Sequence, residues 1–175
     1  MKPLRHAILI ASTASLMTAA TMAQASPQRV DFGISSVSFI IGDGYGTDAA
    51  EKEGTLLDVR FTYLFSGDLS FSLAGIDDGS SLDLASVTFR EENSHGGIRE
   101  EETDNLGVSA TFVFTNPLGL SRTVSANAKA TTGSVSDSHL DYALTWTAVD
   151  VNFGDGGVFR ISLDDLMFDG MGTQT

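Results

Sequence analysis

Side chains with oxygen donors cluster around a glycine-rich turn near the end of the chain, at Asp150, Asn152 and Asp155. Ca²⁺ accepts carboxylate and amide oxygens in irregular arrangements, and the spacing here partly matches a calcium loop. The run lacks the fifth-position donor and the final glutamate of an EF-hand. These residues are the first candidates for an irregular calcium site, with an oxygen-rich turn at Asp43 and Asp48 as the next candidate. The pattern itself favours ordinary turns, which are equally rich in Asp and Asn.

The sequence contains no recognisable catalytic motif. His95 and His139 lie in polar stretches outside any HExxH pattern, and no GxSxG motif is present. Neighbouring carboxylates such as Asp164 and Asp165 point to opposite faces of a strand, so a glycosidase pair needs distant strands. Sugar-cleaving clefts usually hold several tryptophans, whereas Trp146 is the only one here. Because the chain has no cysteine, thiol catalysis and cysteine-bound zinc are excluded. We expect no catalytic residue and no cofactor other than calcium.

A glycine-rich run at 42–46, GDGYG, has a superficial similarity to a nucleotide-binding loop. It lacks the spacing of such loops, a long following helix and any positive charge. The sequence favours a plain turn here.

The first 25 residues have the pattern of a secretory signal peptide. Basic residues near Met1 precede an apolar run rich in small residues, and an A-x-A cleavage site follows at 23–25. We expect a mature chain that begins at Ser26 and forms one domain over 26–175. It would be exported to the periplasm, the cell surface or the medium. No later stretch is long and apolar enough to predict a membrane span.

The charge of the mature chain limits its partners. Residues 26–175 contain eight basic and 23 acidic residues, a net charge of −15. Such a surface repels nucleic acid and anionic lipid, and it is compatible with cations. Extracellular polysaccharide or other surface proteins are the expected partners.

Alternating apolar residues predict an all-β protein. The clearest hairpin runs from 149 to 163, where apolar residues alternate on both sides of a glycine-rich turn at 154–157. Further alternating runs occur at 34–41, 57–65, 69–73, 108–114 and 142–146. The pattern predicts an antiparallel β-sandwich of about eight or nine strands, jelly-roll or Greek-key like, with a sheet closed on itself as the alternative.

Three local features carry further expectations. The apolar phase of the run at 82–89 slips between Leu84 and Val87, which predicts a β-bulge near Ala85 and Ser86. The polar stretch 91–105 has one aliphatic residue and predicts an exposed loop. Trp146 lies on the apolar face of its run, so we expect it to be buried, close to Phe61, Phe112 and Phe159 or their neighbours.

The closing run from Asp150 to Phe168, together with the signal peptide and a Ser/Thr/Gly-rich body without cysteine, resembles exported bacterial proteins of the PEP-CTERM and choice-of-anchor type. The resemblance implies a surface or extracellular-matrix protein of a Gram-negative bacterium, with a structural or adhesive role and no catalytic residues. The chain ends at Gly170 to Thr175 without the sorting tail of those families. We expect either release or a tail outside this sequence. A calcium-assisted carbohydrate- or polymer-binding module is the alternative function, and a hydrolase with dispersed carboxylates is the third.

Overall fold

Antiparallel β-strands make up nearly all the regular structure of the chain. The computed structural model describes residues 7–13, 29–47, 56–65, 67–75, 78–93, 96–116, 120–154 and 156–175. These residues form thirteen strands, one 3-10 helix and no α-helix. None of the described segments is a helix long and apolar enough to cross a membrane.

The strands are, in chain order, Ala7–Thr13 (β1), Val30–Ile41 (β2), Val59–Tyr63 (β3), Leu69–Leu73 (β4), Gly79–Leu82 (β5), Ala85–Phe89 (β6), Val108–Asn116 (β7), Leu120–Ala130 (β8), Tyr142–Trp146 (β9), Val149–Phe153 (β10), Gly157–Ser162 (β11), Leu166–Phe168 (β12) and Gly172–Gln174 (β13). The 3-10 helix is Glu100–Thr103.

One large sheet is covered by two smaller ones. The large sheet has the order β12-β9-β8-β7-β2-β4, and the smaller sheets have the orders β10-β11-β1-β5 and β13-β6-β3. Alternation along β7 and β8 puts apolar side chains on one face of the large sheet, where both smaller sheets pack. The predicted all-β sandwich is confirmed. It has more strands than expected, because β1 lies within the predicted signal peptide, the run at 82–89 is divided between two sheets, and β12 and β13 are short strands near the end of the sequence.

The first core lies between the large sheet and the predicted hairpin, which β10 and β11 form as expected. Val151, Phe159 and Ile161 are completely buried. The Phe159 ring lies 5.0 Å from that of Phe32 in β2 and 5.3 Å from that of Phe114 in β7, both edge-on. The connecting turn uses positive φ at Gly154 and Gly156, as the glycine spacing predicted.

The second core lies between the large sheet and β13-β6-β3. Its centre holds the rings of Tyr142 and Phe89, stacked with centroids 6.0 Å apart. Tyr45 also belongs to this core, and its hydroxyl donates to the carbonyl of Leu106 at 2.7 Å. The Tyr45 and Tyr142 hydroxyls are 2.8 Å apart, so Tyr142 is the donor in that second bond. Both buried hydroxyls therefore have partners.

The bulge expected near Ala85 and Ser86 is instead a change of sheet. Strand β5 pairs with β1 and β6 pairs with β3, so the chain leaves one small sheet and enters the other between residues 82 and 85. The carbonyl of Leu84 accepts the N–H groups of Leu64 at 2.9 Å and Phe65 at 3.3 Å. A change of partner shifts the apolar phase just as a bulge does, which is why periodicity alone gave the wrong feature.

The stretch 91–105 is also more ordered than expected. Glu91, Ile98 and Glu102 are buried. The backbone N–H of Arg99 donates to Glu102 Oε2 at 2.6 Å, which caps the 3-10 helix. The prediction of a wholly exposed loop is therefore wrong, since two of its carboxylates serve as internal acceptors for backbone groups.

The glycines at 42–46 have a structural reason. A Cβ at Gly42 or Gly44 would collide with the carbonyl oxygen of Asn105 or Asp104, so only glycine fits against this backbone. The N–H groups of Gly42, Gly44 and Gly46 donate to Gly107, Asn105 and Leu57. Donors that are already used inside the fold leave no cradle for a phosphate, in agreement with the sequence interpretation as a plain turn.

Part of the predicted signal peptide, residues 7–13, forms a strand in this structure. Strand β1 pairs antiparallel with β11 on one side and with β5 on the other. Cleavage after residue 25 stays a prediction, and it would remove this strand from the small sheet.

Mutants on the two faces of the hairpin should differ in stability. We expect Phe159→Ala to cost about 3–5 kcal/mol out of a total of about 5–15, because it leaves a cavity among three other aromatic rings. Arg160→Ala, on the exposed face, should change the denaturation midpoint little. Urea unfolding of both variants tests this, and equal midpoints would contradict the assigned core face.

The tyrosine pair predicts loss of stability at high pH. Burial raises the pKa of Tyr45 to about 12, and burial and the neighbouring tyrosine raise the pKa of Tyr142 as well. In the unfolded chain both titrate near pH 10. Their contribution is complete below pH 10 and is lost as pH rises towards the folded values, at roughly 1.4 kcal/mol per pH unit for each tyrosine at most. Urea unfolding from pH 9 to 11.5 should show this decline. The double variant Tyr45→Phe, Tyr142→Phe should reduce it, and an unchanged pH slope would refute the assignment.

Candidate functional site: an aromatic groove

A groove opens where the two cores meet over the inner face of the large sheet. Trp146, at the end of β9, packs against both cores. The groove is bordered by the β5 to β6 connection and by the β11 to β12 connection, at both of which the chain leaves the first small sheet. Its apolar lining includes Phe39, Phe61, Leu84, Leu144, Trp146 and Leu163.

Three aromatic rings line one end of this groove and its approach. Phe39 stacks on Tyr63 with centroids 5.5 Å apart, and it meets Trp146 edge-on at 6.5 Å. Tyr63 is 54% exposed, and Trp146 is half-buried. The expectation of a buried Trp146 near Phe61, Phe112 and Phe159 is therefore only partly right. The tryptophan lies at the margin of the first core, at the boundary between the two small sheets, where neither sheet covers it fully.

The backbone of Trp146 is fixed from the other side of the groove. Its N–H donates to Asp165 Oδ1 at 2.7 Å, which ties the end of β9 to the β11 to β12 connection. This bond holds the indole next to the groove wall while leaving part of the ring accessible. From the sequence, Asp164 and Asp165 are not expected to form a catalytic pair, and in the structure Asp165 is an acceptor for a backbone N–H.

Two carboxylate residues, Asp83 and Asp164, also line the groove, one from each connection. Asp83 is exposed and Asp164 is half-buried. The enclosed space is only about 60 Å³, whereas enclosed small-molecule sites have roughly 300–1,000 Å³. A ligand larger than a few atoms must therefore lie along the groove and remain partly in solvent.

The residues predicted to bind calcium are only partly brought together. Asp150 and Asn152 share the exposed face of β10. Both oxygens of Asp150 are occupied by Arg160, with Nε to Oδ1 at 2.7 Å and Nη2 to Oδ2 at 3.0 Å. These hydrogen bonds, helped by charge attraction, hold the pKa of Asp150 below its ordinary value and raise that of Arg160. Asp155 lies outside the described residues.

The second predicted calcium turn is equally incomplete. Asp43 is exposed in the turn after β2, and Asp48 lies outside the described residues. Within the described ranges, no three His, Cys, Asp or Glu side chains are grouped closely enough to hold a metal ion. The calcium prediction therefore stays a prediction that depends on Asp155 and Asp48.

His139 has a local structural role. Its backbone N–H donates to Asp137 Oδ1 at 2.7 Å, and its ring Nδ1 lies 3.0 Å from the same oxygen. The backbone bond is the main reason that the pKa of Asp137 is lowered. Both residues are exposed, and His95 lies outside the described residues. This pair stabilises a turn, as expected for a loop histidine.

Sequence reasoning missed a second, polar concavity on the outer face of β3 and β6. It has a volume of about 250 Å³ and includes two cationic side chains, Arg60 and Arg90, with threonines around them. Arg60 is paired in register with Thr88. Since both arginines are exposed, the concavity is a solvated face, not a closed site.

The chain matches no protein-family model, no curated protein and no solved structure. Support for a function therefore comes from the residues of this chain.

Calcium addition tests the predicted metal turns. We expect calcium to raise the melting temperature by a small, saturable amount that Asp155→Asn reduces, because neutralising one donor weakens an oxygen-ligated site. Scanning calorimetry at matched ionic strength separates binding from charge screening. Asp169→Asn, an exposed carboxylate elsewhere, makes the same charge change and is the control. Equal, unsaturable shifts with calcium and magnesium would rule out a specific site.

Proposed function

We propose that this chain is an exported, non-catalytic β-sandwich with a structural or adhesive role at the surface or in the extracellular matrix of a bacterium. We further propose that it contacts an uncharged polysaccharide through the aromatic groove. The observation that carries the proposal is the accessible aromatic surface formed by Phe39, Tyr63 and Trp146.

The chemistry of the groove suits a sugar chain. A pyranose ring presents C–H groups on its faces and hydroxyl groups at its rim. Aromatic faces attract such C–H groups, and the tyrosine hydroxyl and indole N–H add polar contacts at the ring edge. The carboxylates of Asp83 and Asp164 supply acceptors along the same groove. Apolar walls with a few polar groups are the usual composition of a ligand site.

The shape of the groove favours a polymer over a small molecule. The enclosed volume of about 60 Å³ cannot surround a monosaccharide. An extended chain, in contrast, can gain weak contacts over several units while most of each unit stays in water. An adhesive protein of an extracellular matrix needs this kind of contact, since many weak sites give firm attachment together.

Charge and composition support an extracellular setting. The expected mature chain carries a net charge of −15, which disfavours nucleic acid and acidic polymers as partners. The signal-peptide pattern and the resemblance of the closing run to PEP-CTERM and choice-of-anchor proteins point the same way. Among extracellular polymers, a neutral polysaccharide is therefore the partner that these features favour.

Binding to polysaccharides tests the proposal directly. Trp146 is the only tryptophan, so its fluorescence reports ligand at the groove. We expect neutral glucans, xylans or mannans to change this emission and acidic polygalacturonate to have no effect. Tyr63→Ala should weaken binding by roughly 2- to 10-fold, the range for one aromatic stacking contact.

Controls separate binding from folding and from catalysis. Met167→Ala removes an exposed apolar side chain on the outer face of β12 and should bind as well as the parent chain. Trp146→Phe keeps an aromatic ring in case a smaller residue unfolds the domain, and its binding is measured by affinity electrophoresis because it lacks the fluorescent tryptophan. Equal affinities of the Tyr63→Ala and Met167→Ala variants would refute the groove. Release of reducing ends that Asp83→Asn or Asp164→Asn abolishes would favour the hydrolase alternative.

A further inference from the structure

The sheet that covers the first core contains a strand that export would remove. Strand β1 lies between β11 and β5, with pairs from Ile8↔Ser162 to Thr13↔Gly157 on one side and from Ala7↔Leu82 to Ile10↔Gly79 on the other. The whole of β1 lies within the predicted signal peptide. The same seven residues therefore belong to a sheet and to a segment with an export pattern.

Removal of β1 leaves two unpaired strand edges that face each other. Among the described strands, β5 has no sheet partner other than β1, and β11 keeps only β10. Neighbouring strands are about 4.8 Å apart, so β5 and β11 would be separated by about 9.6 Å, the width of one inserted strand. Strand edges of this kind bind other strands unless they are covered.

The residues of β11 that pair with the middle of β1 are apolar. We call the gap that β1 would leave between β5 and β11 the slot. Leu9 and Ala11 pair with Ile161 and Phe159 of β11, whose side chains are completely buried in the first core. Without β1, the backbone edge of these two residues would lose its antiparallel partner. An occupant must therefore supply backbone N–H and C=O groups to both edges, with apolar residues at the positions paired with Ile161 and Phe159.

We propose that export opens this slot and that the processed protein fills it with an extended apolar segment of another protein chain, added as a strand antiparallel to β11. The proposal rests on the export part of the proposed function. The occupant has the chemistry of Ala7–Thr13: about seven residues, uncharged, with aliphatic side chains and no proline. A second copy of the mature chain is a poor source, because its described apolar runs already lie in strands of the two cores. Strand addition is a common way for proteins to recognise peptides, since the main chain provides the affinity and alternate side chains provide the specificity.

The first arm of the test uses the naturally exported protein. Intact mass identifies where the chain begins, and a chain that still carries Met1 would refute export without testing the slot. A synthetic Ala7–Thr13 peptide with flanking lysines for solubility is then added to protein that begins at Ser26. We expect binding by fluorescence anisotropy and a rise of at least about 5 °C in melting temperature. The same peptide with Ile10→Pro should not bind, because proline removes a donor and bends the strand.

The second arm opens the slot without natural export. Full-length chain made in a membrane-free translation system carries a protease site in place of residues 19–25. The labelled peptide should bind after cutting and not before. Absence of binding to the cut chain, equal binding to both forms, or an N-terminal fragment that stays bound and does not exchange would each overturn the proposal. A processed chain that forms dimers through this edge would also overturn it, because the occupant would then be a second copy.

Discussion

The structure depends on one constraint: the large sheet has a continuous apolar face that is longer than either small sheet. Alternate residues of β7, from Val108 to Phe114, are all buried on that face, yet they belong to two different cores. Two separate sheets must cover them, one on each part of the face. The division into two cores, the β5 to β6 connection between the small sheets and the groove beside it all follow from the need to bury this apolar face.

The groove exists because two sheets placed beside each other do not seal their boundary. Residues 82–85 and 162–166 carry the chain away from the first small sheet, and an extended connection covers less apolar surface than a paired strand. Strand β2 contributes to the same boundary, since register shifts between Gly33 and Ser36 move its inward-facing positions from Phe32 and Ile34 to Val37 and Phe39. The aromatic surface is thus made of core residues whose cover ends there.

The alternation of apolar residues and the glycine-rich turns predicted those parts of the fold that depend on residues close together in the sequence. The β10 and β11 hairpin, its glycine turn and its buried face depend on residues within 15 positions of one another, and the sequence predicted them correctly in outline. The groove draws on six separate parts of the chain, so no window of sequence contains it. The phase slip at Leu84 was the one local sign of the boundary, but a slip in periodicity does not distinguish a bulge from a change of sheet. Burial of Glu102 was hidden for a similar reason, since a carboxylate that caps its own backbone has the composition of an exposed loop.

The two proposed contacts would act on the fold in different ways. A polysaccharide along the groove lies over side chains that are already in place, so the domain need not change when it binds. The slot between β5 and β11 is part of the sheet itself, and its occupant would cover the first core. Any ligand that binds only the folded state adds stability that grows with the logarithm of its concentration, about 2.7 kcal/mol at 100 times its Kd. In the proposed processed form, the stability of the first core is therefore linked to capture of a partner strand, whereas the second core, which lacks β1, keeps its own cover.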